Sequence, residues 1–387
     1  MFRIKCLNAI SKVGTDSFLS DYGLTEDLQQ ADGILVRSAD MKEMEIPKNV
    51  LTITRAGAGV NNIPLEKCAE QGIVVFNTPG ANANSVKELV LCAMLVSARN
   101  VISGVEWVRS IADSATVAKD CEKGKKQFVG SEIRGKKLGV IGLGAIGAEV
   151  ANAAIDLGMD VYGYDPYLSV NGAWRLSREV RHATSLNELC AACDYITVHV
   201  PLTDKNPGMI SKECIDDMKE GVVLLNFSRD KLVDENALAM ALASGKVKAY
   251  FTDFANPLSV KMKNAIVTPH LGASTEEAED NCAVMAVKEI MDYLDNGNIR
   301  HSVNYPDCEM GVCTSVDRIA ILHKNIPNML GQFTGILAKY QQNIANMMNK
   351  SRDKVAYTLI DLDSEVSEEC LAELRAVDAV IRVRVVK

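Results

Sequence analysis

The run Gly142-Leu143-Gly144-Ala145-Ile146-Gly147 constrains this chain more than any other segment. It directly follows an apolar strand pattern, Lys136-Lys137-Leu138-Gly139-Val140-Ile141, and opens a helical pattern from Ala145 to Leu157. In that setting Gly142 permits the tight turn, Gly144 lets a pyrophosphate approach the backbone, and Gly147 lets the helix pack on the strand. The free N–H groups at Ala145 and Ile146, with the helix dipole behind them, favour negative charge. Asp165 stands 18 residues beyond Gly147, at the end of the next strand pattern. A carboxylate there binds the adenosine ribose hydroxyls and repels a 2′-phosphate, which selects NAD over NADP. The alternative, a structural glycine turn with a surface aspartate, leaves the order strand, turn, helix, strand, acid unexplained.

The rest of the chain supplies a matching rhythm. Before the glycine loop, Gly33-Ile34-Leu35-Val36, Leu51-Thr52-Ile53 and Gly72-Ile73-Val74-Val75-Phe76 read as buried strands between helical segments, as in a parallel sheet covered on both faces. Ser85 to about Val108 reads as one long amphipathic helix. After the loop, Val161–Tyr164, Tyr195–Val200, Gly221–Asn226, Ala249–Thr252 and Ala265–Thr268 continue the alternation. The expected fold class is α/β, with two Rossmann-like doubly wound lobes. Residues 311–387 read as strand, helix, strand, strand, helix, strand, the βαββαβ order of a ferredoxin-like domain, and Asp295 to Cys313 is the candidate linker.

Composition removes several function classes. The chain has 387 residues and a net charge of −8, which disfavours nucleic acid and anionic membrane as partners. No apolar run reaches the roughly 18 residues that span a bilayer, and the start of the chain has no secretory pattern. The eleven scattered cysteines suggest reduced thiols in a cytoplasmic protein. Cys190-Ala191-Ala192-Cys193 is a formal CxxC, but no second pair is spaced to complete a metal site, so no metal is expected.

The GLGAIG loop in mid-chain, Tyr164-Asp165-Pro166, Val198-His199-Val200-Pro201-Leu202-Thr203, Asn226-Phe227-Ser228-Arg229 and Pro269-His270-Leu271-Gly272-Ala273-Ser274-Thr275 together resemble the D-2-hydroxyacid dehydrogenase family over roughly residues 1–305. Residues 311–387 resemble an ACT regulatory domain. The resemblance implies a substrate-binding lobe from residues 1–91 and 266–305, split around an inserted NAD domain at 92–265. It also implies cofactor contacts from His199, Pro201, Thr203, Phe227, Ser228, Asp253, Gly272 and Ala273. The expected substrate is 3-phospho-D-glycerate, with a hydroxypyruvate or glyoxylate reductase, or a non-enzymatic NAD sensor, as alternatives.

Oxidising a 2-hydroxy acid needs a base for the hydroxyl proton and a cation for the carboxylate. His270 is the candidate base, since imidazole titrates near neutrality. Arg229, just past a strand end, can hold a carboxylate by two parallel hydrogen bonds. The family's third member is a glutamate paired with the histidine. Here the segment reads Asp253-Phe254-Ala255-Asn256-Pro257, so Asn256 is expected to orient His270 by a neutral hydrogen bond. The resemblance assigns Arg37, Ser38, Arg55, Ala58, Gly59 and Asn61 to the substrate's charged groups. In the C-terminal domain it assigns His323 and Asn325 to an L-serine effector, with Asn328 where a glycine is usual. A homodimer or homotetramer is expected.

Overall fold

In the computed structural model, which describes residues 1–386, the short apolar runs form strands of three sheets. The first contains β1 (Phe2–Cys6), β2 (Tyr22–Leu24), β3 (Gly33–Val36), β4 (Thr52–Arg55) and β5 (Val74–Asn77), all parallel, in the order β2-β1-β3-β4-β5. The second contains β6 (Lys137–Ile141), β7 (Asp160–Tyr164), β8 (Arg181–His182), β9 (Tyr195–Val198), β10 (Val222–Asn226), β11 (Val247–Thr252) and β12 (Ala265–Val267), in the order β12-β11-β10-β9-β6-β7-β8. The third contains β13 (Asp317–Lys324), β14 (Ile344–Arg352), β15 (Val355–Leu362) and β16 (Val380–Val385), antiparallel, in the order β14-β15-β13-β16. Two doubly wound parallel sheets and one ferredoxin-like sheet are therefore present, as the strand patterns imply.

The chain divides into two compact units, Met1–Asn82 with Glu276–Lys387, and Ala83–Thr275. Each boundary differs by several residues from the sequence expectation, for a local reason. The helix Ala83–Arg99 buries Val86, Val90 and Met94 in one core with Leu138 and Val150, so it belongs with the second unit from its first turn. Residues 266 and 267 lie in β12, which pairs with β11.

The long helix expected from Ser85 to Val108 is instead two, Ala83–Arg99 and Val101–Ser110, bent by 60°. Asn100 breaks them with φ +50°, the left-handed conformation that asparagine tolerates better than most residues. Among the described residues, no single helix is long and apolar enough to cross a membrane.

Residues 295–313, expected as a linker, are packed into the first unit. Asn304 brackets the β5 segment, donating to the Ile73 carbonyl at 2.9 Å and accepting from the Val75 N–H at 2.9 Å. Tyr305 is fully buried and donates to the Ala69 carbonyl at 2.7 Å. One face of the third sheet carries Ile319, Ile321 and Ile360 under the helices Met329–Lys339 and Glu368–Arg375. The other face, with Ala320, Leu322, Tyr357 and Leu359, shares a core with the helix Glu276–Asn296 and the first sheet. Antiparallel sheets often leave one face wet; here β13 and β15 are buried on both faces, while the edge strand β14 stays largely exposed.

Candidate active site

In the second unit the strand order reverses between β6 and β9, and ligands bind such sheets at the carboxyl ends of the strands beside this point. The glycine loop follows β6 and His199 follows β9, joined by the His199 N–H donating to the Ile141 carbonyl at 2.7 Å. Gly142 has φ +88°, and a Cβ there would lie 2.6 Å from the His199 carbonyl oxygen. A Cβ on Gly147 would lie 1.9 Å from the Gly142 carbonyl oxygen, so the helix Ala145–Asp156 approaches the loop closer than any other residue allows. Gly144 differs: nothing lies within 4 Å of its missing Cβ. That open space, before a helix whose first N–H groups have no side-chain cap, fits the pyrophosphate of a dinucleotide.

Asp165 follows β7 and braces the loop, accepting from the Leu143 N–H and the Tyr167 N–H, each at 2.9 Å. A carboxylate has further lone pairs for ribose hydroxyls. His199 bonds Thr197 through Nε2 at 2.9 Å, while its buried Nδ1 has no partner among the described residues. Burial pushes this imidazole down to about 3, so it is neutral and offers a ligand one unsatisfied ring nitrogen. Pro201 and Thr203 are exposed and held in one turn by Asn206, which donates to the Pro201 carbonyl and accepts from the Thr203 N–H.

Past β10, buried Asn226 shapes the turn to Arg229. Its amide donates to the Arg229 carbonyl at 2.8 Å, and its oxygen accepts from the Ser228 N–H at 3.1 Å. Ser228 in turn donates to the Val198 carbonyl at 3.0 Å, which ties the turn to β9. Arg229 is exposed, and its guanidinium Nη1 donates to the Ser228 carbonyl at 2.6 Å, which leaves its other N–H groups for a ligand. The Phe227 side chain departs from expectation: it is buried against Phe251 in the core and presents only backbone to a ligand.

His270 is exposed, has φ +60°, and packs its ring nearly perpendicular to that of Phe254, 5.1 Å between centroids. Two expectations for its neighbours are corrected. Asn256 does not orient it, because the Asn256 amide donates to Glu235 Oε1 at 2.6 Å and its oxygen accepts from the Leu258 and Ser259 N–H groups. Asp253, expected at the cofactor, is 2% exposed and turned inward. It accepts from Thr268 Oγ1, the Leu271 N–H and the Gly272 N–H at 2.6–2.7 Å, so the Gly272 N–H is also occupied, while Ala273 stays half-buried beside it.

In the first unit the corresponding reversal falls between β1 and β3. Arg37 and Ser38 follow β3 there, and Asn8 follows β1, accepting from the Arg37 N–H at 3.0 Å. The Arg37 guanidinium pairs with Glu279 at 2.5 Å. Arg55 ends β4 and donates from Nε to the Arg37 carbonyl at 3.0 Å. The loop with Ala58 and Gly59 is held by Asn77, which donates to the Ala58 carbonyl at 2.6 Å. Asn61 is exposed, whereas Asn62 bonds the Ala39 carbonyl. In the third sheet His323 is buried, its nitrogens bonded to Thr358 Oγ1 and the Lys324 carbonyl. That corrects its assignment to an effector, while Asn325 is exposed and Asn328 takes the left-handed conformation at φ +65°. Asn8, Asn206 and Glu235 escaped the sequence reading, and Asn226 and Phe254 entered it only as motif neighbours without a role; an asparagine at or just past a strand end is the signal that could have found Asn8 and the role of Asn226.

Residues 91–272 match the family described as "D-isomer specific 2-hydroxyacid dehydrogenase, NAD binding domain". The chain is 37% identical over 314 residues to D-3-phosphoglycerate dehydrogenase of Methanocaldococcus jannaschii, covering 79% of this chain and 57% of that one. It is 33% identical over 341 residues to the Haemophilus influenzae enzyme of the same name, covering 84% of this chain and 79% of that one. A crystal structure of NAD-bound 3-phosphoglycerate dehydrogenase from Entamoeba histolytica superposes with a TM-score of 0.62 at 27% identity, covering 78% of this chain and 98% of that one.

Proposed function

The chain belongs to the D-isomer-specific 2-hydroxyacid dehydrogenases, and on that premise we propose that it oxidises 3-phospho-D-glycerate to 3-phosphohydroxypyruvate with NAD. The observation that carries the reading is the second unit's crevice, where the open space at Gly144 and the turn ending in Arg229 lie at carboxyl ends of strands of one sheet.

The Gly144–Gly147 turn and the start of its helix would hold the pyrophosphate, Asp165 the adenosine ribose, and His199 Nδ1 a polar group of the same cofactor. When bound, the nicotinamide supplies the acceptor for the hydride. The Arg229 guanidinium grips the substrate carboxylate by parallel hydrogen bonds and draws charge toward the forming carbonyl. His270 takes the C2 hydroxyl proton as the C2–H bond breaks, so C2 becomes a carbonyl and the proton rests on the imidazole. In the first unit, Arg37, Ser38, Arg55 and the Ala58–Asn61 loop are proposed to bind the substrate's anionic groups.

We further propose a homodimer. The helix Val101–Ser110 buries no residue and exposes Val101, Ile102, Val105 and Val108, and exposed Val129 is tied to its start by the Asn100 amide, which donates to the Val129 carbonyl at 3.3 Å, giving an apolar face that a second copy would cover. An L-serine effector at the Asn325 turn and a cytoplasmic setting complete the proposal; the eleven cysteines, all free, fit a reducing compartment. Initial rates over a panel of 2-hydroxy acids, with and without L-serine, test the reading. The fastest kcat/KM is expected for 3-phospho-D-glycerate, with inhibition by serine. A preference for glycerate or glycolate would favour the hydroxypyruvate or glyoxylate reductase reading.

A further inference from the structure

The strand end at Thr252 and the loop that carries His270 are interlocked. Asp253 holds the loop from beneath, accepting from Thr268 Oγ1 before His270 and from the N–H groups of Leu271 and Gly272 after it. Those bonds pin the left-handed conformation at His270, which a non-glycine residue keeps only where its surroundings enforce it. Phe254, the next residue, sets its ring at 71° to the imidazole. Phe254 is itself anchored, because its carbonyl accepts from Ser259 Oγ at 3.2 Å and Ser259 Oγ also accepts from the Asn256 N–H at 3.0 Å. Asn256 closes this small turn with its side-chain oxygen and reaches across to Glu235 Oε1 with its amide. Glu235 opens the helix Glu235–Ser244, six residues after Arg229 and directly beyond the short turn Asp230–Leu232. The turn that carries Arg229 runs on along the chain to Glu235, which bonds Asn256, and the Asn256 turn holds Phe254 against His270 through Ser259.

We propose that Phe254 and the Glu235–Asn256 pair are positioning residues for His270, an aromatic seat with a polar tie where relatives use a carboxylate. The inference rests on His270 being the base. An aromatic ring fixes the plane of the imidazole without adding charge and without occupying a ring nitrogen, so both nitrogens stay free, one for the substrate proton and one for its release to water. The Glu235–Asn256 bond keeps that seat in register with Arg229. A misplacement near 1 Å at a reacting group costs a rate factor on the order of 100, so losing the seat should be visible in kcat.

The test uses the full chain with Phe254→Leu, Phe254→Tyr, Glu235→Leu and Glu235→Gln. Phe254 is half-buried, so the substitutions should fold, and melting temperature and NAD Kd serve as controls. Phe254→Leu is expected to lower kcat on the order of 10- to 100-fold, with NAD Kd unchanged. Phe254→Tyr should recover most of the rate. Glu235→Leu should lower kcat severalfold and Glu235→Gln restore it, since glutamine keeps the acceptor for Asn256. In proton NMR, the His270 ring C–H signals, identified among five histidines by their loss in His270→Ala, should shift in Phe254→Leu as the ring current is removed. A Phe254→Leu enzyme with wild-type kcat and unmoved His270 signals overturns the proposal. If His270→Ala itself turns over at the wild-type rate, the assignment of the base fails instead, so the two failures are separable.

Discussion

At the residue scale, the glycine loop makes the sharpest claim because two of its glycines are glycine for different reasons. At Gly147 a Cβ would strike the Gly142 carbonyl at 1.9 Å, and backbone cannot give way. At Gly144 a Cβ meets only open space. Gly147→Ala should therefore lower both melting temperature and NAD affinity. Gly144→Ala should melt like the wild type and still bind NAD on the order of 10-fold or more weakly, equivalent to about 1.4 kcal/mol. Thermal unfolding and NAD titration on both variants check this; equal melting losses would show that Gly144 is also structural. These glycines were legible in the sequence because their geometry is local. The roles of Asn256, Asp253 and His323 were not, since their partners Glu235, Gly272 and Thr358 lie 19 to 35 residues away. Sequence spacing says which groups are polar, and only the fold decides which hydrogen bonds they make.

At the element scale, strands were the most legible feature. Runs such as Leu138–Ile141 and Val222–Asn226 are apolar on both faces because they lie inside parallel sheets, and their β-branched residues separate them from helices. All six elements of the C-terminal domain occur in the order read from the sequence. The error at Asn100 came from periodicity itself: the apolar spacing continues through Val101 and Val105, but those residues are exposed rather than buried. An apolar stripe reports that something covers it, without saying whether the cover is the same chain. Replacing Val105 and Val108 together by glutamate should convert a dimer to a monomer in sedimentation velocity while leaving the melting temperature of the chain nearly unchanged. A wild-type protein already monomeric at micromolar concentration would remove the dimer proposal.

At the scale of the whole molecule, the C-terminal domain is no appendage, and composition gave no sign of this. Asn, Gly and Pro between 295 and 313 suggested a free linker, yet that segment is hydrogen-bonded to the β5 segment through Asn304. Arg318, 1% exposed, makes paired bonds to Asp361 and donates to the Asn296 and Gly311 carbonyls, binding the domain to the helix before it. Where the chain leaves that helix, Glu289 and His301 meet at 2.9 Å. Burial pushes the Glu289 carboxyl from its usual 4.5 up to about 7, and the bond to Glu289 raises the His301 imidazole. Both folded-state values lie above the unfolded ones, so the folded pair keeps a proton that the unfolded chain releases. The resulting stability is complete below about pH 4.5 and is lost as pH rises through about 7. Unfolding free energy measured in urea should accordingly fall from about pH 5 to about pH 8, and Glu289→Gln should flatten that fall. A wild type and variant separated by a constant difference at every pH would refute the coupling.

In the proposed function, a crevice built for NAD carries its own base and carboxylate anchor. The most direct measurement is reduced-nicotinamide formation from 3-phospho-D-glycerate and NAD in wild type, His270→Ala and Arg229→Ala, with NAD affinity titrated in each. Steady turnover is expected in the wild type, with a loss on the order of 1,000-fold in kcat/KM for either variant (about 4 kcal/mol of transition-state stabilisation), and NAD Kd unchanged in all three. NAD binding without turnover on any 2-hydroxy acid, or variants as active as the wild type, would contradict it.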